Sequence, residues 1–337
     1  MVGRRCFLTL LSQLSAGVML SAGANAPERQ RKKDRLGEWL PVRKLGDTGE
    51  DVTMLGMGGW HFGEGEDKDG LAILEEALQR GVRFIDCASE YQNGGSEQRM
   101  GRILTPKYRD VVFLMTKAIG KDAKSVEQEL DNSLKNMKTD HLDLWQIHSI
   151  ESPEDVDRRI ENGVLDVFLQ AKESGKVRYI GFTGHRNYRA HLRMLERTKN
   201  SNPFDACQMP INALDPSYKS FIVNVLPKLV ERKIGVIAMK TLAFGKFFDK
   251  NMRPGEKQKE DNKPNQIIPG RMSLKEALHF VWSLPVSVLV SGMLNPNEVK
   301  ENAALAKNWE PMEPLKREAL ISKISDMAGN QIEWYKE

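Results

Sequence analysis

Short apolar runs alternate with longer amphipathic stretches eight times between Thr53 and Leu305, and this rhythm limits the fold more than any other feature. The apolar runs are Met54–Gly58, Val82–Ile85, Val111–Thr116, Leu142–Ile147, Val177–Gly181, Ala206–Met209, Ile234–Met239 and Val286–Val290. Their lengths suit strands buried on both faces. Between them apolar residues recur at helical spacing, as in Leu71, Ile73, Leu74, Ala77 and Leu78, and again in Val126, Leu130, Leu134 and Met137. Further helices are expected over 156–173, 187–197, 219–232, 273–283 and 296–306, with a terminal helix over 314–328. Gly81, Gly175 and Gly235 fall at or just past helix ends, where a glycine is favoured. Eight strand–helix units predict an α/β protein with a closed (β/α)8 TIM barrel, which needs about 250 residues. An open doubly wound sheet is the competitor, but its phosphate fingerprint is missing. Gly56-Met57-Gly58-Gly59-Trp60-His61 offers two of the three glycines and no helix start. Val42–Val52 flanks Gly46-Asp47-Thr48-Gly49, an N-terminal β-hairpin signal. One domain is expected over residues 39–330, closed by the C-terminal helix.

Composition narrows the function classes. The 337 residues carry 50 basic and 46 acidic side chains, a formal charge of +4 that is too small and scattered for nucleic acid as the main partner. Cys6, Cys87 and Cys207 form no CxxC pair, which argues against a disulfide scaffold, a zinc ribbon or an iron–sulfur cluster. No apolar run reaches the ~18–20 residues of a permanent membrane anchor. Residues 1–26 have a basic start, an apolar middle and small residues before a break, the pattern of a secretory signal. Arg4-Arg5-Cys6-Phe7-Leu8-Thr9 resembles the twin-arginine consensus. That resemblance implies a periplasmic location, with the twin-arginine translocase as a transient partner. Cleavage is expected after Ala24, since a cut after Ala26 would leave Pro27 first. Residues 27–38 read as a solvated linker.

Polar residues gather at the strand ends, where barrel active sites lie. Strand 2 runs into Asp86-Cys87-Ala88-Ser89-Glu90-Tyr91, strand 3 into Lys117, strand 4 into His148, and strand 5 into Thr183-Gly184-His185. Strand 6 carries Gln208. A lysine directly after a buried apolar strand needs a carboxylate, and Asp86 on the adjacent strand can supply it.

These residues resemble the aldo-keto reductase family over roughly residues 40–310. The resemblance rests on Gly-Val-Arg-Phe-Ile-Asp-Cys-Ala-Ser-Glu-Tyr at 81–91, Gly95-Ser96-Glu97 with Gly101, Lys117, Asp143-Leu144 before His148, Gln208, and Glu301-Asn302. It implies a catalytic tetrad of Asp86, Tyr91, Lys117 and His148 and a nicotinamide cofactor, NADP(H) or NAD(H), with no metal. Tyr91 would give the proton as general acid to the carbonyl oxygen of a small-molecule aldehyde or ketone. Lys117, held charged by Asp86, is expected to lower the tyrosine pKa from about 10. His148 would orient the substrate oxygen, and Trp60 would wall the substrate pocket.

The resemblance further implies a set of cofactor-binding residues. Gln208 matches a carboxamide ligand. Thr183 stands in the family's Ser-Asn stretch, and His185 is the replacement for its missing asparagine. Met239 falls on the aromatic platform under nicotinamide, followed by Lys240 and Leu242. After strand 8, Gly292, Asn295 and Glu298 precede Glu301 and Asn302, which match the adenine-binding pair. Asn295 and Glu298 occupy positions where many members carry bases for the 2′-phosphate, so weak discrimination between the two cofactors is expected. The basic segment Ala243–Arg271, with Lys246, Lys250, Arg253, Lys257, Lys259, Lys263 and Arg271, resembles loops that close over the pyrophosphate. Two other readings stay open. A metal-dependent hydrolase on the same barrel could recruit His61, Asp86, His148 and His185, though there is no HxH pair. A non-catalytic nicotinamide-cofactor sensor or regulatory subunit would share every binding residue.

Overall fold

The computed structural model describes residues 32–62, 64–247 and 270–337. Eight parallel strands close on themselves in sequence order. They are β1 (Leu55–Gly58), β2 (Phe84–Asp86), β3 (Phe113–Ala118), β4 (Leu142–Ile147), β5 (Val177–Thr183), β6 (Ala206–Pro210), β7 (Gly235–Met239) and β8 (Val288–Ser291). β8 pairs back onto β1 through Leu289 and Leu55, which completes the expected barrel. The strands sit within a residue or two of the apolar runs.

Among the described residues, ten longer helices pack outside. They are α1 (Asp67–Gln79), α2 (Gly95–Ile103), α3 (Ala123–Met137), α4 (Pro153–Glu161), α5 (Val164–Glu173), α6 (Tyr188–Arg197), α7 (Leu226–Glu231), α8 (Leu274–Trp282), α9 (Pro296–Lys307) and α10 (Pro314–Ile324). The single helix expected over 156–173 is two, because the chain turns through Gly163 at φ +78°. The helix expected over 219–232 is also divided, into Phe221–Asn224 and α7. At the end of α7 the left-handed residue is Lys233 rather than Gly235. Gly235 instead opens β7, where a Cβ would lie 2.6 Å from Leu45.

The core has two layers. Strand and helix faces bury most of the aliphatic side chains, with Trp145 of β4 stacked 3.7 Å from Phe168 of α5. Inside the barrel, Phe84, Phe113, Met115, Leu144, Ile237 and Val288 meet Leu45 and Val52 of the hairpin Val42–Lys44/Asp51–Thr53. The hairpin therefore plugs the N-terminal end, opposite the strand ends that carry the polar residues.

One boundary differs from the sequence expectation. Of the segment read as a solvated linker, residues 33–38 form a second hairpin pairing Lys33–Asp34 with Gly37–Glu38. Its Asp34 binds the buried Arg83 guanidinium at 2.6 Å and Trp39 Nε1 at 2.8 Å, and Arg35 pairs with Asp110 at 2.7 Å. The basic composition of the segment hid the fact that Asp34 supplies the carboxylate that Arg83 needs. Residues 1–31 and 248–269 lie outside the described residues. They include the expected export signal, its expected cleavage site, Cys6 and the loop bases Lys250, Arg253, Lys257, Lys259 and Lys263.

Candidate active site

Neighbouring parallel strands bring their C-terminal ends side by side, so Asp86 of β2, Lys117 of β3 and His148 after β4 share one rim. Lys117 Nζ lies 2.6 Å from Asp86 Oδ1 and donates to the Cys87 carbonyl at 2.6 Å and to the Tyr91 hydroxyl at 3.2 Å. Three partners match the three protons of an ammonium. His148 Nδ1 is 3.4 Å from Glu90 Oε1, and its ring stands edge-on to Tyr91 with centroids 6.1 Å apart. On its other side Tyr91 meets Trp60 edge-on at 5.2 Å, and Trp60 is 40% exposed. The four residues expected to form the tetrad and the tryptophan expected to wall the pocket thus converge.

The loops leaving these strands are strained. Gln92 and Asn93 after Tyr91, Ser149 after His148 and Lys240 after Met239 all hold positive φ, between +49° and +57°. Such backbone is uncommon for non-glycine residues and costs about 1–3 kcal/mol each where it occurs in sparsely populated regions.

Burial and charge set the protonation states. Burial opposes the Lys117 ammonium, but the Asp86 carboxylate and the Tyr91 oxygen outweigh it and hold lysine above its usual range. Burial also pushes the Tyr91 phenol up, and Lys117 pulls it back only in part. The expected net lowering of the tyrosine pKa is therefore overturned. Asp86 already neutralises the one ammonium that faces the phenol, so desolvation of a phenolate dominates. Tyr91 consequently keeps its proton at neutral pH. Burial, then the Lys117 charge, pushes His148 well below 6.5, leaving a neutral imidazole.

The residues expected to bind cofactor fall in two groups on the same face. Thr183 ends β5, buried, with its carbonyl accepting from Ile150 N at 3.0 Å. His185 Nδ1 meets the Tyr335 carbonyl at 2.8 Å and must carry a proton there, so Nε2 is left as the acceptor. Burial and the Lys240 charge push His185 down to about 4. Gln208 Oε1 accepts from Gln146 Nε2 at 3.2 Å, while its amide is turned to Asp86. Met239 ends β7, and Lys240 and Leu242 follow it. The second group surrounds the start of α9. Asn295 caps the helix, accepting from Asn297 N at 3.0 Å and Glu298 N at 3.1 Å. Glu298 turns back to accept from Asn295 Nδ2 at 2.9 Å and Leu294 N at 2.8 Å. Burial and the Glu298 charge push the Glu301 carboxyl up. Asn302 is buried and donates to Ser291 Oγ at 3.0 Å. Gly292 leaves room for His61, whose ring a Cβ would meet at 2.6 Å. Of the loop bases, Lys246 is exposed and Arg271 pairs with Asp326 at 2.6 Å.

Sequence reasoning missed the roof. Residues 333–336 lie across the ends of β5–β7. Lys336 is fully buried, with Asp215 at 2.7 Å, Glu333 at 2.9 Å and the Tyr218 carbonyl at 2.8 Å. Asn212 donates to the Tyr335 hydroxyl at 2.9 Å, and Trp334 meets Phe244 edge-on at 5.6 Å. The signal that could have found this segment is Trp334-Tyr335-Lys336, a cluster of two aromatics in an otherwise polar tail. Among the described residues no group of three or more His, Cys, Asp or Glu side chains could hold a metal ion.

Comparison with known proteins places this geometry. Residues 54–320 match the family model described as the aldo/keto reductase family. The oxidoreductase YqkF of Bacillus subtilis is 25% identical over 295 residues, covering 78% of this chain and 90% of that protein. L-galactose dehydrogenase of Arabidopsis thaliana is 25% identical over 296 residues, covering 81% and 90%. The holo form of aldo-keto reductase AKR11C1 from Bacillus halodurans superposes with a TM-score of 0.69 at 20% identity, covering 88% of this chain and all of that one.

The buried histidines set an acid limit. Burial pushes His191, packed against Phe182 and Phe221, down to about 4, as it does His185. An unfolded chain protonates such a histidine near pH 6.5, so between about 6.5 and 4 it binds more protons than the native state. Stability is fully present above pH 6.5 and falls as pH drops toward 4, by about 1.4 kcal/mol per pH unit for each such histidine. Urea titrations at pH 7, 6 and 5 should show a slope that His191→Phe flattens by about that amount. An identical slope in the variant would contradict the assignment.

Proposed function

This chain belongs to the aldo/keto reductase family of NAD(P)H-dependent enzymes, and we propose that it reduces an aldehyde or ketone to the alcohol with Tyr91 as the general acid. The observation that carries this reading is the Lys117 ammonium, 2.6 Å from Asp86 and 3.2 Å from the Tyr91 hydroxyl.

The strand ends suit a nicotinamide cofactor. Among the described residues, Gln146 Oε1 and Thr241 Oγ1 are buried there without a protein partner, as polar atoms that await a ligand would be. Thr183, His185, Gln208, Met239, Lys240 and Leu242 would hold the nicotinamide end, and the α9 start would face the adenine end. When bound, the cofactor supplies hydride to the carbonyl carbon. The chain's own residues handle the oxygen. Tyr91 donates its proton as negative charge builds there. Lys117 then stabilises the phenolate left behind, and Asp86 keeps that lysine charged. Neutral His148 donates a hydrogen bond to the same oxygen and fixes its direction. A raised phenol pKa is compatible with this role, because the acid must be protonated when hydride arrives. The relatives' names point to differing substrates, so the substrate class rests on the chemistry of the site.

The cofactor reading is weak discrimination between NAD(H) and NADP(H). Glu298 and Asn295 cap each other at the start of α9, so the protein's own carboxylate fills a place favourable to an anion. A 2′-phosphate would meet that carboxylate rather than a base. For the amino terminus we adopt the export reading, supported by Arg4-Arg5 and the apolar stretch after them. The protein would then act in the periplasm after twin-arginine export.

Three outcomes are expected. Tyr91→Phe lowers kcat about 10²–10⁴-fold in a carbonyl screen with NADPH while nucleotide binding persists; full activity would rule out the acid role. Glu298→Arg shifts the ratio of dissociation constants toward NADP(H) by about ten- to a hundredfold, read by fluorescence quenching of apo-protein. A wild-type preference for NADP(H) of about a thousandfold would refute the placement of Glu298. Replacing Arg4 and Arg5 together with lysine leaves the protein inside the cytoplasm of a host with the pathway; normal periplasmic recovery would reject export by that route.

A further inference from the structure

Among the described residues, Lys240 is a cation of this site with no acid at ion-pair distance. It follows β7 directly, on a backbone at φ +57°, and is only partly exposed. Its ammonium lies 4.2 Å from the centroid of the Phe244 ring and 5.8 Å from that of Tyr335. No carboxylate among the described residues comes within ion-pair distance of it. Asp86, an acid whose charge acts on it, is already bound to Lys117. Glu90 sits on the far side, against His148. The other groups whose charge state it feels or affects are Lys117, already paired, and His148 and His185, both neutral. Asp86 and Lys117 offset each other, so that pair offers Lys240 no spare counter-ion. A half-buried charge without a counter-ion is costly, and two aromatic faces replace only part of its hydration.

We propose that Lys240 is a specificity-determining residue that receives an anionic group, a carboxylate in the simplest case, on the carbonyl substrate. The ammonium lies against Phe244 and the tail residue Tyr335. Phe244 in turn meets Trp334, which is 46% exposed, and Tyr91 stands beside Trp60. A substrate with its carbonyl at Tyr91 and its anion at Lys240 would lie between these aromatic walls. Attack of Lys240 on an aldehyde to form an imine is the less favoured use. Burial and then Lys117 lower its pKa only to about 8, so at pH 7 most of it carries a proton, and the ring faces favour that cation. The pyrophosphate of the cofactor is the other source of an anion, and the experiment separates the two.

This inference rests on the reductase reading above. Its test compares 4-carboxybenzaldehyde with the neutral methyl 4-formylbenzoate, each with NADPH, in wild type and in Lys240→Met. The wild type should favour the acid over the ester by at least about tenfold in kcat/KM, through KM, as a charge-assisted contact provides. Lys240→Met should bring that ratio close to one, and Lys240→Arg should keep most of it. Equal use of acid and ester by the wild type overturns the proposal and leaves the reductase reading standing. An unchanged ratio in Lys240→Met with a tenfold loss of NADPH affinity also overturns it, because the anion is then the cofactor's. If neither aldehyde turns over, benzoate titration by tryptophan fluorescence decides the matter for Lys240. A tenfold rise in the benzoate dissociation constant in Lys240→Met supports the site, and equal or absent binding in both proteins refutes it.

Discussion

The buried pair of Lys117 and Asp86 is the interaction on which the site depends. Each group would be costly alone beneath the strand ends, and each is held in place by the other and by the strands that carry them. Their contact at 2.6 Å places an ammonium against the Tyr91 hydroxyl and the Cys87 carbonyl at once. The tyrosine is therefore positioned by a rigid element, although it stands on a strained loop. The barrel provides this by register, since β2 and β3 pair through Phe84–Phe113 and Ile85–Leu114, which sets Lys117 two residues beyond the level of Asp86 on the adjacent strand.

Much of this was legible in the sequence because it is local or periodic. Strand runs of continuous apolar character and helical stripes such as Val126–Met137 carry their own period. A lysine at a buried strand end asks for an acid in any sequence. What was not legible depends on contacts between distant segments. The pairing of Asp34 with Arg83 joins a polar, basic-looking stretch to a residue 49 positions away, and nothing in either stretch names the other. The break at Gly163 and the left-handed Lys233 reflect how helices meet the barrel, where tertiary fit overrides propensity. The direction of the tyrosine shift was misread for a related reason. Counting a neighbouring cation is possible from sequence, whereas weighing it against burial needs the structure.

The cofactor side shows the same division. The helix start at Asn295 was visible as a place where nucleotide charge could matter. That Asn295 and Glu298 satisfy each other and the Leu294 amide could be seen only in three dimensions. A helix N-terminus already filled by its own carboxylate offers less to an incoming phosphate than an open one. Residue identity alone could not distinguish a capping role from a ligand role.

The tail that closes the roof has a bearing on how the molecule comes into being. Tyr335 reaches back to His185 over 150 positions of sequence, and Lys336 reaches Asp215 over 121. A chain emerging from the ribosome can build the hairpin plug and the first barrel units while synthesis continues. It cannot fix the His185 ring or enclose Lys240 until residue 336 is free to dock. The roof is thus completed last, by a buried ionic cluster, and a half-made barrel has strand ends without that cover.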